Sequence, residues 1–93
     1  MKSFGEYLRK AREEKELPLR KVAAALDIDT SILSKIERND RRATTEMIPV
    51  LSKILDKTEK EIQTEFIKSM IQTELGELQY LMYGLKETLK SIK

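Results

Sequence analysis

The 93-residue sequence predicts an all-α fold: a helical domain of about five helices, followed by a heptad-patterned C-terminal helix. Three observations carry that reading. Apolar residues recur at intervals of three and four, and no stretch alternates with the period of two that marks a strand. Two capping boxes stand at Ser3–Glu6 and Thr58–Glu61, where a hydroxyl and an acidic side chain three residues apart satisfy each other's free N–H groups. In the tail, Ile71, Leu75, Leu78, Met82, Leu85, Leu89 and Ile92 are spaced alternately by four and three, an a/d seam over three heptads.

The first helix runs from the Ser3 cap to about Lys15, with Phe4, Leu8 and Ala11 as its apolar stripe and Leu17 just beyond. Pro18 suits a helix start, because the N–H it lacks would be unbonded there anyway. The second helix, about Leu19 to Leu26, buries Val22, Ala23 and Leu26, and the small Ala23 and Ala24 allow close helix contact. After a turn at Asp27-Ile28, Asp29 is read as the cap of a third helix, Thr30 to about Arg38, with Leu33 and Ile36 pointing inward. Thr44 is read as the cap of the fourth, whose inner face is Ile48, Leu51, Ile54 and Leu55. That start places Pro49 near the fifth helical residue, later than the first turn proline prefers.

The fifth helix leads from Thr58 through Ile62, Phe66 and Ile67. Gly76 and Gly84 lie off the seam, and each costs about 1 kcal/mol against Ala in a helix interior. A break at Gly76, separating a sixth helix, is the favoured reading. So narrow an apolar stripe needs a partner. It either folds back on its own domain or pairs with a second chain, and pairing is favoured. The expected division is a domain over residues 1–68 and a dimerisation helix over 69–93.

Composition narrows the function. With no cysteine, disulfides, thiolate metal sites and cysteine nucleophiles are excluded, and with no histidine the usual general base and commonest metal ligand are gone. No metal or cofactor site is expected, and no motif pairs carboxylates or lysines for catalysis. No apolar run approaches the roughly 20 residues of a membrane span. MKSFGEYLRK lacks the apolar stretch of a signal peptide. The expectation is a cytoplasmic protein of a bacterium or phage. Net charge is only +2, but 11 Lys/Arg stand against 8 Asp/Glu in residues 1–45, and 7 against 8 in residues 46–93. The basic excess is most visible at Arg38, Arg41 and Arg42, and local clustering matters more than the total because charges act over about 8 Å at physiological salt.

The ordered segment LPLRKVAAALDIDTSILSKIERNDRRATTEMIPVLSKILDKTEKEI resembles the lambda-repressor-like, xenobiotic-response-element type of helix-turn-helix domain. The likeness runs without a gap from about Phe4 to Ile62. It rests on Arg12, on Val22-Ala23 with Leu26 and Ile28, on Ser34 with Ile36-Glu37-Arg38, and on Leu51 to Leu55. The C-terminal helix is similar, less closely, to that of small regulators of restriction–modification systems. The chain departs from the pattern at Leu19, where the family often carries a Gln that contacts a phosphate; Arg20 is placed to supply that contact. Asp27 and Asn39 stand where glycine is usual, and both residue types tolerate left-handed backbone.

The resemblance implies that the third helix enters the major groove with its N-terminal residues at base edges. Thr30, Ser31, Ile32, Ser34 and Lys35 are then the candidate base contacts, Lys35 as a donor to guanine O6/N7. Ile32 has two readings: apolar contact with a thymine methyl, or packing on the first or second helix. Arg20, Arg38, Asn39, Arg41, Arg42, Thr44 and Thr45 are candidate phosphate contacts, the threonines together with the N–H groups of a helix start. Arg12 and Glu37 match a pair that forms an internal salt bridge in the family. One module makes few base contacts, so a homodimer on an inverted repeat, half-sites about 34 Å apart, is expected. The expected role is transcriptional repressor or controller, with no small-molecule effector. The rival is a protein-interaction module, an antitoxin or antirepressor working through the C-terminal helix. RNA fits poorly, since aromatics are 5% of the chain and none forms a stacking platform.

Overall fold

The computed structural model describes residues 3–92, which form six α-helices and, among the described residues, no strand. They are α1 (Phe4–Glu14), α2 (Leu19–Ala25), α3 (Thr30–Glu37), α4 (Met47–Leu55), α5 (Glu59–Leu75) and α6 (Leu81–Ser91). α1 packs on α3 and α5, α2 on α3 and α4, and α4 on α5. Their shared interior holds Phe4, Leu8, Ala11, Val22, Ala23, Leu33, Ile36, Ala43, Ile48, Leu51, Leu55, Ile62 and Phe66, the apolar positions at helical spacing. Leu33 and Ile62 are completely enclosed.

The caps explain the boundaries. Ser3 Oγ accepts from the Glu6 N–H, and Thr58 Oγ1 from the Glu61 N–H, both at 3.1 Å. The Phe4 N–H donates to Ser69 Oγ at 3.0 Å, so the start of α1 is tied to α5. Phe4 also meets Phe66 edge-on, centroids 5.3 Å apart. Tyr7 donates its hydroxyl to Glu61, and burial together with that carboxylate pushes the Tyr7 pKa up. Glu61 therefore serves a tertiary contact besides its place in the cap.

Four helix ends share one device. Glu16, Asp27, Asn39 and Asp56 all take left-handed backbone, φ 55–65°, and none is glycine. After α1, α2 and α3 the same pair of bonds follows: Leu17 N–H to Arg12 O, Ile28 N–H to Ala23 O, and Asp40 N–H to Lys35 O close the outer ring at 2.8–3.1 Å. This is the Schellman arrangement that satisfies the last carbonyls.

Two expectations need correction. The Asp29 side chain makes no capping bond; its backbone carbonyl accepts from Ile32 and Leu33 instead. α4 begins at Met47 rather than just after Thr44, so Pro49 is its third residue. In the first turn no N–H has a helical partner, and there proline removes nothing. The proline thus places the helix start two residues later than the threonine suggested.

The tail seam is not one stripe. α5 runs unbroken across residues 68–69 to Leu75, the chain turns at Gly76 to Tyr80, and α6 follows. Leu78 falls in the connection. On α6 the apolar arc is Leu81, Met82, Leu85 and Leu89, because 100° per residue brings these to one side, and Ile92 follows just past the helix end. Leu81 and Leu85 are half-buried and line one cleft with Leu75 and Leu78, while Met82, Leu89 and Ile92 stay exposed. None of the α6 side chains joins the core of the other five helices. No helix among the described residues is long and apolar enough to cross a membrane.

Candidate nucleic-acid interface

α3 owes its position to three contacts behind it. The α2–α3 turn is closed by left-handed Asp27, and Ile28 packs half-buried against the core. Gly5 of α1 lies so close to the C-terminal end of α3 that a β-carbon there would sit 2.2 Å from the Ile36 carbonyl oxygen. Beside it Arg12 forks onto Glu37, Nε to Oε2 at 2.7 Å and Nη2 to Oε1 at 3.0 Å, while Nη1 donates to the Leu17 carbonyl at 2.9 Å. The side chains are 14% and 6% exposed, so this is a buried bidentate pair. The Glu37 hydrogen bond raises the Arg12 pKa further, against the opposing effect of burial. The pair expected from the family pattern is in place, and it faces inward.

Seen down its axis, α3 divides cleanly. At 100° per residue, Thr30, Ser34, Arg38, Ser31 and Lys35 fall on one arc of about 140°, and Ile32, Ile36, Leu33 and Glu37 on the other. Leu33, Ile36 and Glu37 are buried; Thr30, Ser31, Lys35 and Arg38 are exposed, and Ser34 is half-buried. Four of the five candidate base contacts thus share one outer face. Ile32 does not. It is half-buried, lies on the inner arc and packs against the core.

The cations gather at the C-terminal end of that face. Lys35 and Arg41 are exposed and make no ion pair among the described residues; Arg20, apart from them on α2, is likewise exposed and unpaired there. Arg38 pairs loosely with Asp40 at 3.4 Å. Left-handed Asn39 turns the chain so that Arg41 and Arg42 follow α3 at once. Arg42 pairs with Glu74 of α5, a contact with no signal in the sequence because the partners lie 32 positions apart. Thr44 and Thr45 are exposed and stand just ahead of α4, which begins at Met47. Their carbonyls accept from the Met47 and Ile48 N–H groups at 3.1 Å, which ties this segment into the start of α4. Leu19, at the position where Gln was expected, is half-buried against the core.

Sequence reasoning also missed Gly5 and the Leu17 carbonyl. Gly5 sat inside a capping box that accounted for it, and no local signal marks a close approach between α1 and α3.

A family model described as "Helix-turn-helix" matches residues 8–62, a span that begins in α1 and ends in α5. The chain belongs to this lambda-repressor-like helix-turn-helix family, a family of DNA-binding regulatory domains. No curated protein and no solved structure matches the chain.

Proposed function

We propose that the chain is a homodimeric transcription regulator that binds an inverted-repeat operator in double-stranded DNA, as a repressor or controller. The observation that carries this is the outer face of α3: Thr30, Ser31, Ser34 and Lys35, polar and unobstructed, on a helix braced from behind by Arg12 and Gly5. Thr30, Ser31 and Ser34 offer hydroxyls to base edges, and Lys35 donates to guanine O6/N7. Ile32 is left out of the reading set, because its packing already occupies it. Arg20, Arg38, Asn39, Arg41, Arg42, Thr44 and Thr45 hold the flanking phosphates through side chains, which sets register without reading sequence.

Pairing is assigned to the tail. Leu78, Tyr80, Met82, Tyr83, Leu89 and Ile92 are each 60–72% exposed. Met82 and Leu89 stand on the apolar arc of α6 and Tyr80 and Tyr83 on its other side, so this short helix leaves apolar surface for a second chain to cover. Two copies joined there would offer two α3 faces to half-sites about 34 Å apart. Occupying promoter DNA, or recruiting polymerase to it, follows from that placement.

The test compares two substitutions across a salt series. Lys35→Ala should cost about 1–3 kcal/mol on the selected operator and relax preference at one base pair. Arg41→Ala should weaken all duplexes alike and lower the salt slope by about 0.9 per protomer. If both behave as general charge losses, Lys35 reads no base.

A further inference from the structure

The contact between Arg42 and Glu74 joins the cationic loop after α3 to the far end of α5. Its surroundings are unusual. Glu74 stands in the last turn of α5, where the unpaired carbonyls already carry partial negative charge, and that turn has no basic residue. Glu77 follows two residues past the helix. A carboxylate at that end is disfavoured on its own helix, and Arg42 is the cation that compensates it. Arg41 and Arg42, Ser69 and Thr73, and Glu74 all border one cleft between the loop and α5, whose floor includes Phe4 and Phe66. Both partners remain partly open, the Arg42 side chain at 65% and that of Glu74 at 40% exposure, so a second anion can reach the guanidinium.

We infer that Glu74 is an internal surrogate for a DNA phosphate: it occupies Arg42 in the free protein and competes with the duplex for it. This rests on the DNA-binding reading above. A phosphate that takes Arg42 must first displace the carboxylate, which returns to solvent beside the helix C-terminus and recovers a counterion. Glu74 therefore lowers affinity and flattens the salt dependence. It weakens phosphate holding without touching base readout, so it raises the share of binding free energy that comes from sequence.

The test needs no operator, because phosphate contacts are independent of sequence. Full-length wild type, Glu74→Gln, Arg42→Gln and the double variant are titrated by anisotropy against a labelled random-sequence duplex of about two helical turns, from about 50 to 200 mM salt. Glu74→Gln should bind roughly 2- to 5-fold tighter per bound protomer, the strength of one exposed ion pair. Its log–log salt slope should steepen by up to about 0.9 per protomer. In the Arg42→Gln background the same change should have no effect. Unchanged or weaker binding by Glu74→Gln would overturn the inference and make Glu74 a support that positions Arg42. Equal tightening with and without Arg42 would overturn it too, as simple through-space repulsion. Melting curves of the four proteins should coincide, since a partly exposed pair adds little stability. Wild type that binds no duplex at all would remove the DNA reading itself, and this inference with it.

Discussion

Replacing Gly5 with alanine should destabilise this protein, although the same change at Gly84 should not. In an unobstructed helix, Gly→Ala gains about 1 kcal/mol from backbone propensity. Gly84 is such a position: nothing lies within 4 Å of the β-carbon it would acquire. At Gly5 the new carbon would stand 2.2 Å from the Ile36 oxygen and 2.8 Å from the Glu37 oxygen, both backbone atoms that no rotamer can move. An ordinary C···O contact is about 3.3 Å, so α1 must retreat from α3 by roughly 1 Å. That retreat strains the Arg12–Glu37 fork and loosens Phe4 and Leu8, both buried. Overpacking of this kind costs about 1–3 kcal/mol or more, and the propensity gain offsets part of it. We expect a net loss of about 2 kcal/mol for Gly5→Ala and a gain of up to about 1 for Gly84→Ala. For a domain of this size each kcal/mol moves Tm by about 4–8 °C. Circular-dichroism melts at one fixed protein concentration, needed because pairing shifts apparent stability, read the difference. Equal stabilisation by the two substitutions would refute the close approach of α1 to α3.

Glu37→Gln should cost about 3 kcal/mol by stranding a buried guanidinium, whereas Arg12→Leu with Glu37→Leu should recover more than half of that; chemical denaturation of the set gives the coupling, and additive losses would argue against a buried pair. Glu16→Gly should raise the urea midpoint, adding about 0.5 kcal/mol, because left-handed backbone costs a side-chain-bearing residue about 1 kcal/mol and glycine gives back part of that in unfolded-state entropy. Leu89→Lys should weaken self-association at least about tenfold in sedimentation equilibrium while leaving the core's helical melt in place, since Leu89 touches no core residue; an unchanged association constant would move the pairing surface elsewhere.

What the residues reveal in advance, and what they conceal, follows the range of each interaction. Local chemistry was legible. The Ser3 and Thr58 caps, most apolar positions of α1 to α5, and the left-handed tolerance of Asp27 and Asn39 all act within a few residues and stand where the pattern placed them; Ile67, exposed on α5, is the exception, and Leu26 and Ile54 are only partly buried. The polar arc of α3 was legible for the same reason. Ile32 was ambiguous because one turn of a short helix separates its two arcs only at the edge. The start of α4 was misplaced because a threonine signals a cap while a proline two residues into a helix signals a start, and the proline's missing N–H carries the stricter constraint. In the tail Gly76 marked the break that separates α5 from α6, whereas the regular spacing concealed that Leu78 falls in the connection and not on a helix. Nothing local marks Gly5 against Ile36, Arg42 against Glu74, or Tyr7 against Glu61; these are matters of how helices distant in sequence meet.

Sequence-specific binding by the outer face of α3 is tested most directly by selection from a pool of random DNA duplexes with the full chain at physiological salt. A homodimer that reads DNA through α3 should enrich an inverted repeat with half-site centres about one helical turn, ~34 Å, apart, and a guanine at the position that Lys35→Ala relaxes. Recovery of an unenriched pool, with binding no tighter than to bulk DNA, would contradict it and turn attention to a protein partner on the exposed tail.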